Sequence, residues 1–445
     1  MPIYLRKSAR WTVFAGLAAI LGACAAGPYT PPGPGPVSGP IGDRGGNGSS
    51  ADPTAPYTPS GNAAMDAWRV SFAARASAQG RDGEAIRSIL EGISPLDIYL
   101  GTNVQTQSAI SEQAEFAKPI WEYLRTAVTA TRIDRGRDRA VSLDPIFDQL
   151  EGAYGVNRDA LLAIWGMETN FGSYMGDFDA PNTLANMAVE GRRKRFAERE
   201  LIALMKILES GAAERDQLIS GWAGAMGHTQ FMPTTFLAHA EDFTGDGKID
   251  LWDNPEDALA SAANYLSVSG FEYDQPWGLE VTLPAGFDYS LADGQDRRIG
   301  SWQAQGVTIV DGVRGAALNE SKFAELWVPA GHRGPKFLLF KNFDVFKTYN
   351  RADSYALAVG LLSDEIAGRP PLQASWPTDL QPLSIDQVKQ LQAGLNSMGF
   401  DAGPVDGIPG RGTKGALRRF QVASGFIADG FPTTEMLSYV LSAAG

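Results

Sequence analysis

The stretch NRDALLAIWGMETNFGSYMG, Asn157 to Gly176, sets a single glutamate, Glu168, inside an apolar, glycine-punctuated run. Asn157 is a residue type that starts helices, and Leu161, Leu162, Ile164 and Trp165 then form an apolar face broad enough to enter a core. Gly172 and the change of pattern predict that this helix ends just after Glu168. A carboxylate in that last turn, beside Trp165, Met167 and Phe171, loses hydration and meets the negative end of the helix dipole. Both effects favour its protonated form, which suits an acid that protonates a leaving group. The alternative is a partly exposed glutamate that merely ends a helix, and the rest of the chain has to choose.

A second segment, GWAGAMGHTQFMPTTF, Gly221 to Phe236, combines glycines and alanines with Trp222, Phe231 and Gln230. Small residues let backbone approach a ligand closely, flat apolar rings suit sugar faces, and Gln230 offers a neutral donor and acceptor. Read alone, the segment is equally a tight helix-packing stretch. A third, DFTGDGKIDLWD, Asp242 to Asp253, fits a calcium-loop pattern: Asp242, Thr244, Asp246, the Lys248 carbonyl, Asp250 and Asp253 take ligand positions, with Gly247 at the sharp turn. Asp253 stands where a longer glutamate is usual. Asn254, Pro255 and Asp257 are expected to start the helix that follows.

The chain has 445 residues, with 38 Lys and Arg against 51 Asp and Glu, a formal net charge of -13. That length allows two or three domains, and the charge leaves no footprint for nucleic acid. One cysteine and three histidines, His228, His239 and His332, exclude a disulfide framework and argue against a Cys/His zinc site. Arg6, Lys7 and Arg10 precede the apolar WTVFAGLAAILGA, shorter than the ~20 residues of a membrane span, as in a secretory signal over residues 1–23. LGAC, ending at Cys24, resembles a bacterial lipobox. That resemblance implies acylation of Cys24, and Ala25 behind it implies the outer membrane, facing the periplasm.

Residues 24–62 are rich in proline and glycine and read as a tether. Helical periodicity runs from about 63 to 368, interrupted between about 277 and 340 by the β-prone runs LEVTL, GVTIV, ELWVPA and KFLLF, a small antiparallel insertion. Gly368 is the expected stop. Residues 369–382, RPPLQASWPTDLQP, form a second Pro-rich linker, and 383–445 carry three short helical patterns, a separate small domain. Gly410, Gly412 and Gly415 have G-x-G-x-x-G spacing, but no strand precedes them, which excludes a dinucleotide fingerprint.

GMETNFG, WAGAMGHTQFMPTTF, DFTGDGKIDLWDNPEDALASAANYL and KTYNRADSYALAV together resemble, in order, the lytic murein transglycosylases of the membrane-bound B type. The resemblance implies a mainly α, lysozyme-like catalytic domain that cleaves the MurNAc–GlcNAc β-1,4 bond of peptidoglycan without water. It carries the acid/base role onto Glu168 and saccharide binding onto Gln230, Tyr265, Tyr349, Asn350 and Tyr355, with Trp222 added from the residues themselves. It implies no catalytic cofactor, and the substrate's N-acetyl oxygen replaces a second carboxylate; Asp177 and Asp179 read as loop acids. The chain departs from the family in having Gly221 for a common serine, with Ser220 before it, and in having Arg195 and Phe196 where a cleft tyrosine is common. VKQLQAGLNSMGF and VDGIPGRGTKGALRRFQ, with Asp406, Gly407, Gly410, Thr413, Ala416 and Phe420, resemble a peptidoglycan-binding type 1 domain, where Arg418 and Arg419 read as a solvated helix face. A hydrolytic muramidase and a non-catalytic wall anchor are the competing readings.

Overall fold

The computed structural model describes residues 51–99, 119–311 and 318–445. The signal segment, Cys24 and the tether as far as residue 50 lie outside the described residues. Two helical cores make up the body. One gathers Ile120–Ala127, Ala130–Ser142, Asp144–Tyr154, Arg158–Thr169, Pro255–Val268 and Asp353–Ile366; the other gathers Ala63–Ala78, Gly83–Leu90, Ala180–Glu190, Lys194–Ser210 and Pro233–His239. None of these helices is long and apolar enough to cross a membrane.

Arg158–Thr169 is the central rod: Ala160 through Gly166 are all buried, so the helix is apolar on every side in its middle and polar only at its ends. Asn157 takes the N-cap position without a side-chain cap bond. At the other end Asn170, Phe171 and Gly172 follow one another in the left-handed region, with φ of 50°, 60° and 77°. That reversal folds Phe171 back under the helix, edge-on to Trp165 at 5.6 Å. Gly166 makes room for it, since a Cβ there would stand 2.8 Å from the Phe171 ring.

The β insertion is a five-stranded antiparallel sheet in the order Asp296–Arg298, Phe323–Trp327, Phe337–Leu339, Gly278–Thr282, Thr308–Ile309. Leu279, Val281, Ile299, Trp302, Leu326 and Leu338 give it a core of its own. Four strands coincide with the β-prone runs. The fifth, Asp-Arg-Arg, has no apolar residue and is made only by edge pairing with Phe323–Glu325.

Two expected connectors are packed rather than free. The tether was expected to run to residue 62, but Tyr57 is buried between the guanidinium groups of Arg69 and Arg87, 4.8 and 4.6 Å from its ring, and Thr58 N–H donates to Glu91. Arg69 and Arg87 also donate to the carbonyls of Thr58 and Ala55, so the last part of the tether is held by several contacts. The linker at 369–382 is held along its length: Arg369 pairs with Asp364 at 2.9 Å and Asp159 at 3.2 Å, the N–H groups of Gln373 and Ala374 bond Glu280, and Arg333 pairs with Asp379. The three tail helices, Ile385–Ser397, Arg411–Ala423 and Thr434–Ala444, close around Leu391, Leu395, Leu417, Phe420 and Val440. Asp429 of this unit accepts the His332 N–H at 2.9 Å and pairs with its Nδ1 at 2.7 Å, docking the tail on the β insertion.

Candidate active site

Glu168 occupies the last turn of its helix and opens into a cavity of about 100 Å³ lined also by Gln230, Phe231, Met232, Thr235, Tyr265, Thr348 and Tyr349. Burial pushes its carboxyl up to about 7, against the pull of a hydrogen bond from the Tyr355 hydroxyl, which favours the charged form. That bond measures 2.5 Å to Oε1 and crosses 187 positions of sequence. Among the described residues Glu168 is the sole carboxylate lining the cavity. Asp179 caps the helix that begins at Ala180 and pairs with Arg215, so its charge is already engaged.

Gln230 reaches the cavity on strained backbone, with φ of 51°, and is buried. Its Nε2 donates to the carbonyls of Gly227 at 2.9 Å and Met175 at 3.2 Å. A Cβ on Gly221 would stand 3.1 Å from Gln230 Oε1, so glycine here leaves that acceptor room. The Ser220 hydroxyl is wholly buried and donates to the Gly221 carbonyl. Phe231, Tyr265 and Tyr349 form one ring cluster, with centroids 5.4 to 6.2 Å apart. The Tyr349 hydroxyl is buried with no hydrogen-bond partner among the described residues, an unspent polar group beside the acid.

Three expected sugar contacts sit differently. Tyr355 is 3% exposed and spends its hydroxyl on Glu168, so it serves the carboxylate. Asn350 is buried outside the lining, its Oδ1 accepting the Ala352 N–H, while Trp222 is also outside it and its carbonyl accepts the Tyr99 hydroxyl. Motif position identified these residues without revealing their direction. Met232, Thr235 and Thr348 line the cavity and carry no signal in sequence beyond adjacency to the motifs. Phe196 lies between Arg193 and Arg199, 4.3 and 5.3 Å from their guanidinium carbons. A larger cavity, about 260 Å³, opens at the far end of the Glu168 helix beside Asp159, Asp364 and Arg369, whose charges are bonded to one another.

The acidic loop has a different character. Asp242 accepts N–H bonds from Gly245, Asp246 and Gly247, Asp246 from Lys248, and Asp250 from Trp252 and Asp253. Gly247 has φ of +88°, as the sharp turn requires. Asp257, 1% exposed, closes the loop by accepting the N–H groups of Phe243, Thr244 and Asp250, a function that sequence spacing had not assigned to it. The donors are all oxygens, which fits a hard cation by chemistry, although among the described residues no three acidic, His or Cys side chains converge as a cage.

In the tail, Arg418 is half-buried against Gly430 and the Asp429 carbonyl, and Arg419 donates to the carbonyls of Phe400 and Asp401. Arg419 is exposed as the pair was expected to be, whereas Arg418 is turned partly into the domain. Asp406 accepts from Gln392 and from the Ile408 N–H, and Thr413 is buried beside Gln392, so these motif residues shape the turn around Gly407.

The transglycosylase SLT domain family matches residues 64–364, and the putative peptidoglycan binding domain matches 384–438. Membrane-bound lytic murein transglycosylase B of Escherichia coli (strain K12) is 28% identical over 297 residues, covering 65% of this chain and 79% of that protein. SltB3 of Pseudomonas aeruginosa, solved in complex with NAG-anhNAM-pentapeptide, superposes with a TM-score of 0.78 at 42% identity, covering 85% of this chain and all of that one. Escherichia coli lytic transglycosylase Slt35, solved in complex with calcium, shares the fold at a TM-score of 0.55 and 24% identity, over 69% of this chain and 93% of that one. A helical body of this architecture with one carboxylate lining its cavity, matched by the family over two thirds of the chain, places it in the SLT transglycosylase family: it is a lytic transglycosylase whose carboxyl-terminal domain is of the peptidoglycan-binding type.

Proposed function

We propose that the chain cleaves the MurNAc–GlcNAc β-1,4 bond of peptidoglycan without water and leaves 1,6-anhydroMurNAc ends, with Glu168 as sole acid and base. The observation that carries this reading is the lone carboxylate of the cavity, held near its protonated form by burial. Protonated Glu168 gives its proton to the glycosidic oxygen, and the GlcNAc leaves. The MurNAc N-acetyl oxygen bonds to C1 as that bond breaks. The resulting glutamate then takes the C6 hydroxyl proton, and O6 displaces the acetamido oxygen from C1. Proton and electron pairs balance with no water consumed. Tyr355 donates to Oε1 throughout, and its hydrogen bond is worth more to the ionised form that must persist between the two steps.

Gln230, Tyr265 and the unspent Tyr349 hydroxyl are the groups available to hold the sugars. The tail contributes wall affinity. Asp242, Thr244, Asp246, the Lys248 carbonyl, Asp250 and Asp253 would hold a structural calcium, whose part is to draw the loop together; the catalytic steps use none. Cys24 carries the lipid anchor, on the outer membrane facing the periplasm. Digestion of purified sacculi tests the central reading: anhydromuropeptides should appear, each about 18 mass units lighter than its hydrolytic counterpart because no water is added. Reducing MurNAc ends would select a hydrolytic muramidase, and no products at all a non-catalytic anchor. For location, labelled lipid should enter the wild-type protein and fail to enter Cys24→Ser.

A further inference from the structure

His228 lies two residues from Gln230, and the reaction as written gives it nothing to do. The ring Nδ1 accepts the indole N–H of Trp165 at 3.1 Å, and the two rings meet edge to face at 5.5 Å. An accepting Nδ1 leaves the ring proton on Nε2, so the imidazole is neutral. Burial, which holds His228 below its ordinary range, acts in the same direction. Its carbonyl accepts the hydroxyl of Thr169, the residue after Glu168, at 2.7 Å. Its N–H donates to the Leu251 carbonyl in the acidic loop at 2.8 Å. Gly172 lies against the ring so closely that a Cβ there would stand 2.2 Å from it.

We propose that His228 is a positioning residue for the reaction: its ring, as a neutral acceptor for Trp165, together with its backbone carbonyl, the acceptor for Thr169, clamps the end of the Glu168 helix onto the segment that carries Gln230. Trp165 and Thr169 bracket Glu168 on one turn of helix, so the clamp fixes the direction of its carboxylate. The same residue joins that turn to Leu251. An acid that must meet a glycosidic oxygen and then a C6 hydroxyl tolerates little displacement, and an ångström of misplacement costs rate while leaving affinity largely intact. The proposal rests on Glu168 being the acid/base.

The test uses the full chain with His228→Leu, which removes the acceptor, His228→Asn, whose Oδ1 is carried on Cγ as Nδ1 is and so restores one at the same reach, and His228→Gln, whose amide is one methylene longer. Readouts are kcat and KM on glycan strands and the indole N–H resonance of Trp165, identified through Trp165→Phe. His228→Leu should lower kcat about tenfold or more with KM within about twofold, and should move the Trp165 resonance. His228→Asn should recover most of both, and His228→Gln should behave like His228→Leu. A leucine variant with kcat within about twofold of wild type overturns the proposal. If the leucine variant does not fold, the amides decide, and equal rates and equal indole resonances in the Gln and Asn variants overturn it. Full activity in Glu168→Gln would instead sink the acid/base reading, whatever the His228 variants do.

Discussion

Glu168 and the loop from Asp242 to Asp253 handle carboxylates in opposite ways. Glu168 is alone, in an apolar turn, with one side-chain donor and an acidity shifted to about 7. The loop crowds four aspartates into twelve residues, Asp246 and Asp253 exposed and Asp242 and Asp250 half-buried, and satisfies three of them with backbone N–H groups. The difference is one of solvation. A carboxyl buried among apolar groups keeps its proton because ionisation would cost hydration, whereas the loop aspartates spend their oxygens on backbone N–H groups. The first arrangement makes an acid, the second a ligand or a turn.

The largest effect expected is at the solitary acid. Glu168→Gln keeps size and hydrogen-bonding capacity but cannot exchange the proton, so turnover of sacculi should fall by roughly 10² to 10⁴ or more with saccharide binding retained. The same variant reports on linkage. Because the folded acidity of Glu168 lies above its unfolded value of 4.5, wild type loses stability as pH rises from about 4.5 to about 7, where the unfolded chain ionises first. The glutamine variant lacks that loss and should melt higher relative to wild type at pH 8 than at pH 4. Melting curves that run parallel at both pH values would show that Glu168 is not held protonated.

The next effect lies inside the loop and separates Asp257 from its neighbours. Asp257 is buried and accepts three backbone N–H groups, so Asp257→Ala leaves all three without their acceptor. About 3 kcal/mol of stability should go, read as a lowered denaturant midpoint at unchanged slope. Asp253→Ala, at an exposed position, should cost well under about 1 kcal/mol. Equal costs would mean that burial does not distinguish the two aspartates.

A smaller effect is expected at Tyr355. Its hydroxyl lowers the Glu168 pKa, so Tyr355→Phe should carry the alkaline limb of kcat/KM to higher pH. Activity at the optimum should fall a few-fold, through loss of the donor to the ionised intermediate state. A limb that stays in place would remove Tyr355 from the acid's electrostatics.

Sequence exposed the local half of this chemistry. Glu168 stood out as one acid in an apolar run, but that run alone left a helix-ending glutamate equally open and only the family resemblance carried the acid/base role onto it; the helix ended where Gly172 placed it. The loop was legible from spacing and Gly247. Contacts across 187 positions leave no periodicity, so Tyr355 was reachable only through family resemblance, which gave its importance and missed its direction. The Asp-Arg-Arg strand was hidden because edge pairing, not side-chain pattern, makes it. The linker looked free because proline density says nothing of Arg369, Asp379 or the N–H groups that hold it.

The smallest effect expected is calcium binding by the loop, and its size follows from what the aspartates already do. Bound cation would stabilise the folded chain by mass action, about 2.7 kcal/mol at a hundredfold excess over Kd. The Asp242 carboxylate, however, already accepts three N–H groups, and Asp246 and Asp250 accept others; turning them onto an ion gives up those bonds. Net affinity is therefore set by a difference, and Asp253, shorter than the usual glutamate, adds less reach at the closing position. Melting should rise in millimolar-range calcium relative to chelator by less than that mass-action figure, and the rise should vanish in Asp242→Ala with Asp246→Ala. Glu168→Gln should leave the calcium response intact, since its acidity arises from burial and from Tyr355 rather than from the loop. Identical melting of wild type in calcium and in chelator would make the loop a hydrogen-bonded turn, its carboxylates satisfied by their own backbone.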